Sequence, residues 1–352
     1  MNFASRAPRL VTRRLNLADG RVDLTHGAGG RAMQQLIAEI FRPAFDNPML
    51  ARGDDHAAFE VSAGRMVMST DSFVVSPLFF PGGDIGSLAV HGTVNDVAMS
   101  GARPLYLSAG FVIEEGFPLA DLQRIARSMG EAASAAGVAV VTGDTKVVER
   151  GKADRLFINT AGIGVVPPGI EISGDRARPG DAILISGSMG DHGVAIMAHR
   201  AGLEFETTIV SDSAALNGLV ADMVAAVPTV RVLRDPTRGG LAATLNEICD
   251  QSAVGMRLDE AAIPIRPEVL GACELLGLDA LNVANEGKLV AIVPARDTAR
   301  LLGVLRRHPL GRDAAVIGEV ITDPARFVRM TTRIGGERIV DWLAGEQLPR
   351  IC

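Results

Sequence analysis

Five aspartates in the first half of the chain stand where a run of apolar residues gives way to small and polar ones: Asp54 and Asp55 in Gly-Asp-Asp-His, Asp71 in Thr-Asp-Ser, Asp96 in Asn-Asp, and Asp144 in Gly-Asp-Thr-Lys. A single aspartate in such a place is ordinarily a turn residue or a helix cap. Their recurrence at successive strand ends points to chemistry. Magnesium keeps most of its waters and takes one or two carboxylates plus phosphate oxygens, so acids from separate strand ends suit a metal-bridged nucleotide phosphate. Lys146, two residues after Asp144, places an ammonium where it can reach phosphate or take up a proton, although an isolated lysine is more commonly a solvated surface residue. In the second half, Ser186-Gly187-Ser188-Met189-Gly190-Asp191-His192 reads as a strand end, a glycine turn and a helix start. The backbone amides and helix terminus of such a turn favour an anion, but the spacing is neither a P-loop nor the dinucleotide fingerprint. Asp235-Pro236-Thr237-Arg238-Gly239-Gly240 offers a guanidinium fork to phosphate at another helix entry, or is simply a capped helix start. Asn285-Glu286-Gly287-Lys288 lies between apolar segments, where a carboxylate is either a turn residue or a base; the residues alone leave both open. The chain ends Leu-Pro-Arg-Ile-Cys, and a proline-stiffened tail with a terminal thiol, Cys352, suits a carrier that reaches into a pocket.

Regular elements must hold these groups. Residues 31–41 read as an amphipathic helix, 66–70 as a strand ending at Asp71, 85–99 as a helix, and 138–142 as a buried strand running into Gly143-Asp144. Residues 182–186 read as a strand, 187–190 as a tight turn before a helix from Asp191, 241–249 as a helix and 289–293 as a strand. This alternation predicts an α/β or α+β architecture. Pro167-Pro168-Gly169, Ser173-Gly174 and Pro179-Gly180 form the densest cluster of breakers. They divide the chain into an extension over 1–20, a first domain over 21–168, a second over 169–342 and a tail over 343–352.

With 35 Lys and Arg against 41 Asp and Glu, the net charge of −6 argues against nucleic acid or an anionic membrane as the main partner. No apolar run reaches the length of a membrane span. The three cysteines, Cys249, Cys273 and Cys352, lack zinc or disulfide spacing, which fits a reducing, cytoplasmic setting. Cys249 and Cys273 read as small core residues. Arg6, Arg9, Arg13 and Arg14 give the leader a basic bias, read here as an extension rather than a targeting signal.

Together, His-Gly-Ala-Gly-Gly from 26, Ser-Thr-Asp-Ser-Phe from 69, Asn-Asp-Val-Ala from 95, Thr-Gly-Asp-Thr-Lys from 142, Gly-Asp-His-Gly from 190, Asp-Pro-Thr-Arg-Gly-Gly from 235, Ala-Asn-Glu-Gly-Lys-Leu from 284 and the terminal Pro-Arg-Ile-Cys resemble the HypE family of hydrogenase maturation proteins. That family lies within the aminoimidazole ribonucleotide synthetase-like ATP enzymes, and the resemblance covers residues 22–352. The ending is its most specific part. His56, where many relatives carry alanine, and the residues before Arg21 depart from the pattern. The resemblance implies two α/β domains, the first pairing in a homodimer, with ATP between them. It also implies a reaction: HypF places a carbamoyl group on the terminal cysteine, ATP drives its dehydration to a thiocyanate, and a HypC–HypD complex takes the cyano group for the iron of [NiFe]-hydrogenase. By the same resemblance Cys352 carries the substrate, and Glu286 and Lys146 remove protons. Asp54, Asp55, Asp71, Asp96, Asp144 and Asp235 serve Mg2+ or phosphate, while Gly187, Gly190, Asp191, His192, Thr237, Arg238 and Asn95 bind the nucleotide. Two other readings compete: a scaffold that presents Cys352 while ATP alters its shape, and a small-molecule kinase of the same fold.

Overall fold

The computed structural model describes residues 14–28, 31–52, 57–60, 64–202, 209–342 and 350–352. In place of one helix over 31–41 stand α1 (Arg31–Leu36), a π-helical turn (Ile37–Phe41) and α2 (Arg42–Ala44). Pro43 has no N–H to continue the α ladder, and the Arg42 N–H bonds the Ile37 carbonyl, one residue further back than an α-helical bond.

The first sheet runs β1 (Arg65–Phe73), β6 (Leu156–Val166), β4 (Arg103–Glu114), β5 (Ala139–Val148) in spatial order. A short ribbon, β2 (Phe79–Phe80) and β3 (Gly83–Asp84), leads into α3 (Ile85–Met99), whose bounds are those read from the sequence; α4 (Leu119–Ala136) lies beside it. Asp84 caps α3 by accepting the Gly86 and Ser87 N–H groups. Along β1, Ser69, Asp71 and Phe73 point to the helix-covered side, while Met66, Met68, Thr70 and Ser72 alternate to the other. Met68 is 73% exposed on that open face. β1 continues past Asp71, and β5 runs through Gly143-Asp144-Thr145-Lys146, where the sequence suggested strand ends. A sheet with one open face accepts polar residues at every second position, so polarity there marks a face rather than a terminus.

The second sheet has the order β13 (Glu337–Ile339), β12 (Val328–Thr331), β9 (Gly255–Asp259), β11 (Ala315–Ile321), β7 (Asp181–Ile185), β10 (Val290–Pro294), β8 (Val232–Arg234). Within this sheet, among the described residues, only β9 and β12 pair in parallel. β7 and β10 are buried throughout, as their unbroken apolar runs require. One face packs on α7 (Gly240–Ser252). The other packs on α6 (Asn217–Ala226) and α9 (Thr298–Arg307), where it meets Val97, Ala98 and Met99 at the end of α3. α5 (Asp191–Arg200) and α8 (Pro267–Leu276) share a smaller apolar cluster. α3 therefore contributes to the cores of both sheets, and Ser87, His91 and Asp96 are its only residues not buried. A helix packed all round reads as apolar all round, which is why its sequence lacks an amphipathic stripe.

Candidate active site

Where α3 meets the second sheet, three of the expected acids come together. Asp96 on α3 accepts the Ser69 hydroxyl of β1 at 2.7 Å, and with Arg234 and Asp235 it lines a cleft of ≈ 400 Å³. Burial raises the Asp96 carboxyl above the usual range, and the neighbouring Asp71 charge adds to this, opposed by Arg234 and Arg238. Asp71 is raised by burial as well. Asp235 is pushed up to about 7, chiefly by burial and then by Asp96. Like charges held this close resist ionising together, and a cation or a shared proton relieves them. Among the described residues, no three His, Cys, Asp or Glu side chains form a ligand set of their own.

Glu286 belongs to the same cluster. It is 3% exposed, and burial, then Asp235 and Asp212, raise its carboxyl well above the ordinary range. Its backbone is held from several sides. The Glu286 N–H donates to Asp212 Oδ1 at 3.1 Å, and its carbonyl accepts from Asn95 Nδ2 at 3.2 Å. Asp212 also pairs with Lys288 at 3.0 Å, both side chains being largely buried. Next to it, the Asn285 side-chain oxygen accepts the Gly190 N–H at 2.7 Å, while its amide donates to the Pro236 carbonyl at 3.1 Å. Asn285 thus ties the glycine turn and the Asp235 loop to the residue beside Glu286.

The end of the chain lies in this site. The Val74 N–H donates to the Cys352 carbonyl at 3.1 Å, and the Ser76 N–H to the Arg350 carbonyl at 3.2 Å, just beyond β1. Arg350 returns a bond from Nε to the Val74 carbonyl at 3.0 Å and pairs with Asp154. Arg200 Nη2 donates to the Arg350 carbonyl at 3.0 Å. Ile351 is buried in the first core, with Cys352 packed against that core. Burial pushes the Cys352 thiol well above its ordinary value; the Glu286 charge adds to this, and Arg238 opposes it. The thiol is therefore within electrostatic reach of Glu286, Asp71 and Arg238.

Other expected residues lie elsewhere. Asn95, read as a phosphate ligand, is 1% exposed and wholly engaged with backbone: it donates to the Ala214 and Glu286 carbonyls and accepts the Leu216 N–H at 2.7 Å. Its amide joins α3 to the 214–216 segment and Glu286 instead of facing a nucleotide. Replacing Asn95 with alanine leaves these groups buried without partners and is expected to cost about 3 kcal/mol in chemical denaturation. His192 was expected in the nucleotide cleft, yet both ring nitrogens are taken within the chain, by Ser211 and by the tail. Asp191 accepts the Ser188 hydroxyl and sits 3.5 Å from Arg266. Gly190, at φ 90°, supplies the left-handed turn before α5, and a side chain at Gly187 would meet that of Lys288. The glycine turn is thus packed and internally bonded. Thr237 is partly exposed beside exposed Arg238.

Asp144 and Lys146 pair at 2.6 Å, and this bond holds the Asp144 carboxyl below the usual range. By register Asp144 lies across from Gly110, Asn159 and Ser72 in one row of the first sheet. That row faces the open side, away from Asp71, so within one chain Lys146 is not placed with Glu286. A cavity of ≈ 470 Å³ lined by Phe41, Phe45, Phe111 and Thr145 also reaches Asp144. Asp54 and Asp55 lie outside the described residues. Asp212, Lys288 and the tail-holding Arg200 were not anticipated. Asp212, between Ser211 and Ser213, carries no local signal beyond that of a turn.

A two-layer unit followed by a second sheet, with an acidic cleft between them, places the chain in a known class. Residues 53–166 match the AIR synthase related protein, N-terminal domain, and residues 178–330 match the C-terminal domain of the same description. The chain is 67% identical over 341 residues to carbamoyl dehydratase HypE of Rhizobium leguminosarum bv. viciae, covering 97% of each chain. A crystal structure of hydrogenase maturation protein HypE in complex with ATP superposes with a TM-score of 0.91 at 54% identity, covering 94% of this chain and 99% of that one. A HypE–HypF complex gives a TM-score of 0.78 at 50% identity, covering 88% of this chain and 99% of that one. At this likeness over nearly the whole of both chains, the chain belongs to the HypE family of carbamoyl dehydratases.

Proposed function

We propose that the chain dehydrates a carbamoyl group carried on its own Cys352, using ATP, to give a thiocyanate whose cyano group becomes a ligand of the iron in [NiFe]-hydrogenase. The observation that carries this reading is the terminal thiol docked beside a buried carboxylate, Glu286, in an acidic cleft. An amide oxygen leaves poorly. Transfer of the γ-phosphoryl group to that oxygen, with one nitrogen proton removed, gives an O-phosphorylated intermediate. Loss of phosphate and of the second nitrogen proton then forms the C≡N bond. Glu286 is the base. Its burial makes it a stronger proton acceptor than an exposed glutamate, and the pairing of residues 350 and 352 beside β1 orients the thiol. One or two carboxylates from among Asp71, Asp96, Asp235, Asp54 and Asp55 would hold Mg2+, and the metal would neutralise phosphate charge during transfer. Arg238 and Thr237 would face the phosphates.

HypF would load the carbamoyl group, as the solved HypE–HypF complex suggests for the family. A HypC–HypD complex would take the cyano group. The open, methionine-bearing face of the first sheet supports a homodimer, with Asp144 and Lys146 at that face serving the partner's nucleotide or the contact itself. No helix among the described residues is long and apolar enough to cross a membrane, in keeping with work in the cytosol. Intact-mass spectrometry of protein carbamoylated on Cys352 tests the reaction: the mass of one water is expected to disappear only when ATP and Mg2+ are both present. An unchanged mass would return the chain to the scaffold reading.

A further inference from the structure

Ile351 is buried, but apolar burial is non-directional and does not set where the neighbouring thiol points. Hydrogen bonds from Val74 and Ser76 hold the residues on either side of it, and the directional contact on the Ile351 peptide itself comes from α5. His192 is wholly buried, edge-on to Phe80, and its Nε2 lies 2.9 Å from the Ile351 carbonyl. A carbonyl only accepts, so Nε2 carries the proton. Its Nδ1 lies 2.7 Å from the Ser211 hydroxyl, whose oxygen accepts the Ser213 N–H at 3.1 Å and so has its own proton to give to Nδ1. The Ser211–Ser213 turn therefore fixes the tautomer that reaches the tail. The same turn holds the base, because Asp212 accepts the Glu286 N–H at 3.1 Å and the Ala214 N–H bonds the Glu286 carbonyl at 3.4 Å.

We propose that His192 is a positioning residue for the dehydration: its Nε2–H grips the peptide group one residue before Cys352 and, through the Ser211–Ser213 turn, registers the terminal thiol against Glu286. The proposal rests on the dehydratase reading and adds the latch that brings substrate and base together. It is tested on full-length protein with an unmodified thiol and no nucleotide, by the rate at which iodoacetamide alkylates each cysteine, read by peptide mass spectrometry. His192→Leu keeps an apolar side chain of similar size and removes the donor. It is expected to speed alkylation of Cys352 about fivefold to tenfold, the factor one buried hydrogen bond implies, while buried Cys249 and Cys273 stay unreactive. His192→Gln restores an N–H donor and is expected to bring the rate back to within about twofold of the parent. Three results overturn the proposal: an unchanged Cys352 rate in His192→Leu, a rise shared by all three cysteines, or a glutamine variant no slower than the leucine one. If His192→Leu does not fold, Ser211→Ala, which frees the tautomer, is expected to accelerate Cys352 about threefold, and no acceleration there overturns the proposal equally. A carbamoylated parent that never loses water, with this alkylation pattern intact, would count against the dehydratase reading alone.

Discussion

Protein carrying Glu286→Gln is expected to bind ATP and accept a carbamoyl group on Cys352 yet convert it about 10²- to 10⁴-fold more slowly than the parent, the range over which a positioned base contributes. Single-turnover loss of water, followed by mass, is the measurement. Reduced ATP affinity alone would be overcome by raising ATP; loss of the base would not. The substitution also separates catalysis from folding. A buried carboxyl whose ionisation is opposed by burial and by Asp235 and Asp212 is a cost to the folded state when charged, and an amide of the same shape removes that cost. The glutamine protein should therefore melt no lower than the parent. If it turned over at the parental rate, Glu286 would be a structural residue, and the protons would have to leave by another route.

Cys352→Ala is expected to abolish mass gain from the carbamoyl donor altogether, with no transfer of the load to another thiol. Cys249 and Cys273 are buried inside the apolar clusters around α7 and α8, out of reach of a donor, whereas Cys352 is partly exposed. Peptide mapping after incubation with the donor checks this directly. A kinase acting on a diffusible substrate would keep its turnover in the same variant, which distinguishes the third reading from the first.

Much of this architecture is visible in the residues themselves. The bounds of α3 follow from its apolar run between the Asp84 cap and Ser100, and the breakers at 167–180 lie between the strands of one sheet and those of the other. Asp71, Asp96, Asp235 and Glu286 each stand out as an acid in a polar or glycine-bearing break, but local setting alone left Asp235 readable as a cap and Glu286 as a turn residue, and only the resemblance grouped them. Long-range packing was harder to read. Asn95 adjoins Asp96 in sequence, but helical geometry turns the two in different directions, so one lines the cleft while the other pins the backbone of Glu286. Lys146 sits two residues from Asp144 and shares its sheet face, which put both on the far side from Glu286. Nothing in Gly-Asp-His-Gly reveals that His192 meets a carbonyl 159 positions away. Such pairings depend on which loops the two sheets bring together, and no local periodicity encodes that.

The paired backbone at Val74 and Ser76 has a further meaning for the last residues. Arg350 adopts a left-handed backbone at φ 52°, and the carbonyls held there are its own and that of Cys352, so the chain is anchored on both sides of Ile351. Lengthening or shortening the chain after that arginine would break one of these anchors and shift the sulfur relative to Glu286, however well the pocket itself were preserved.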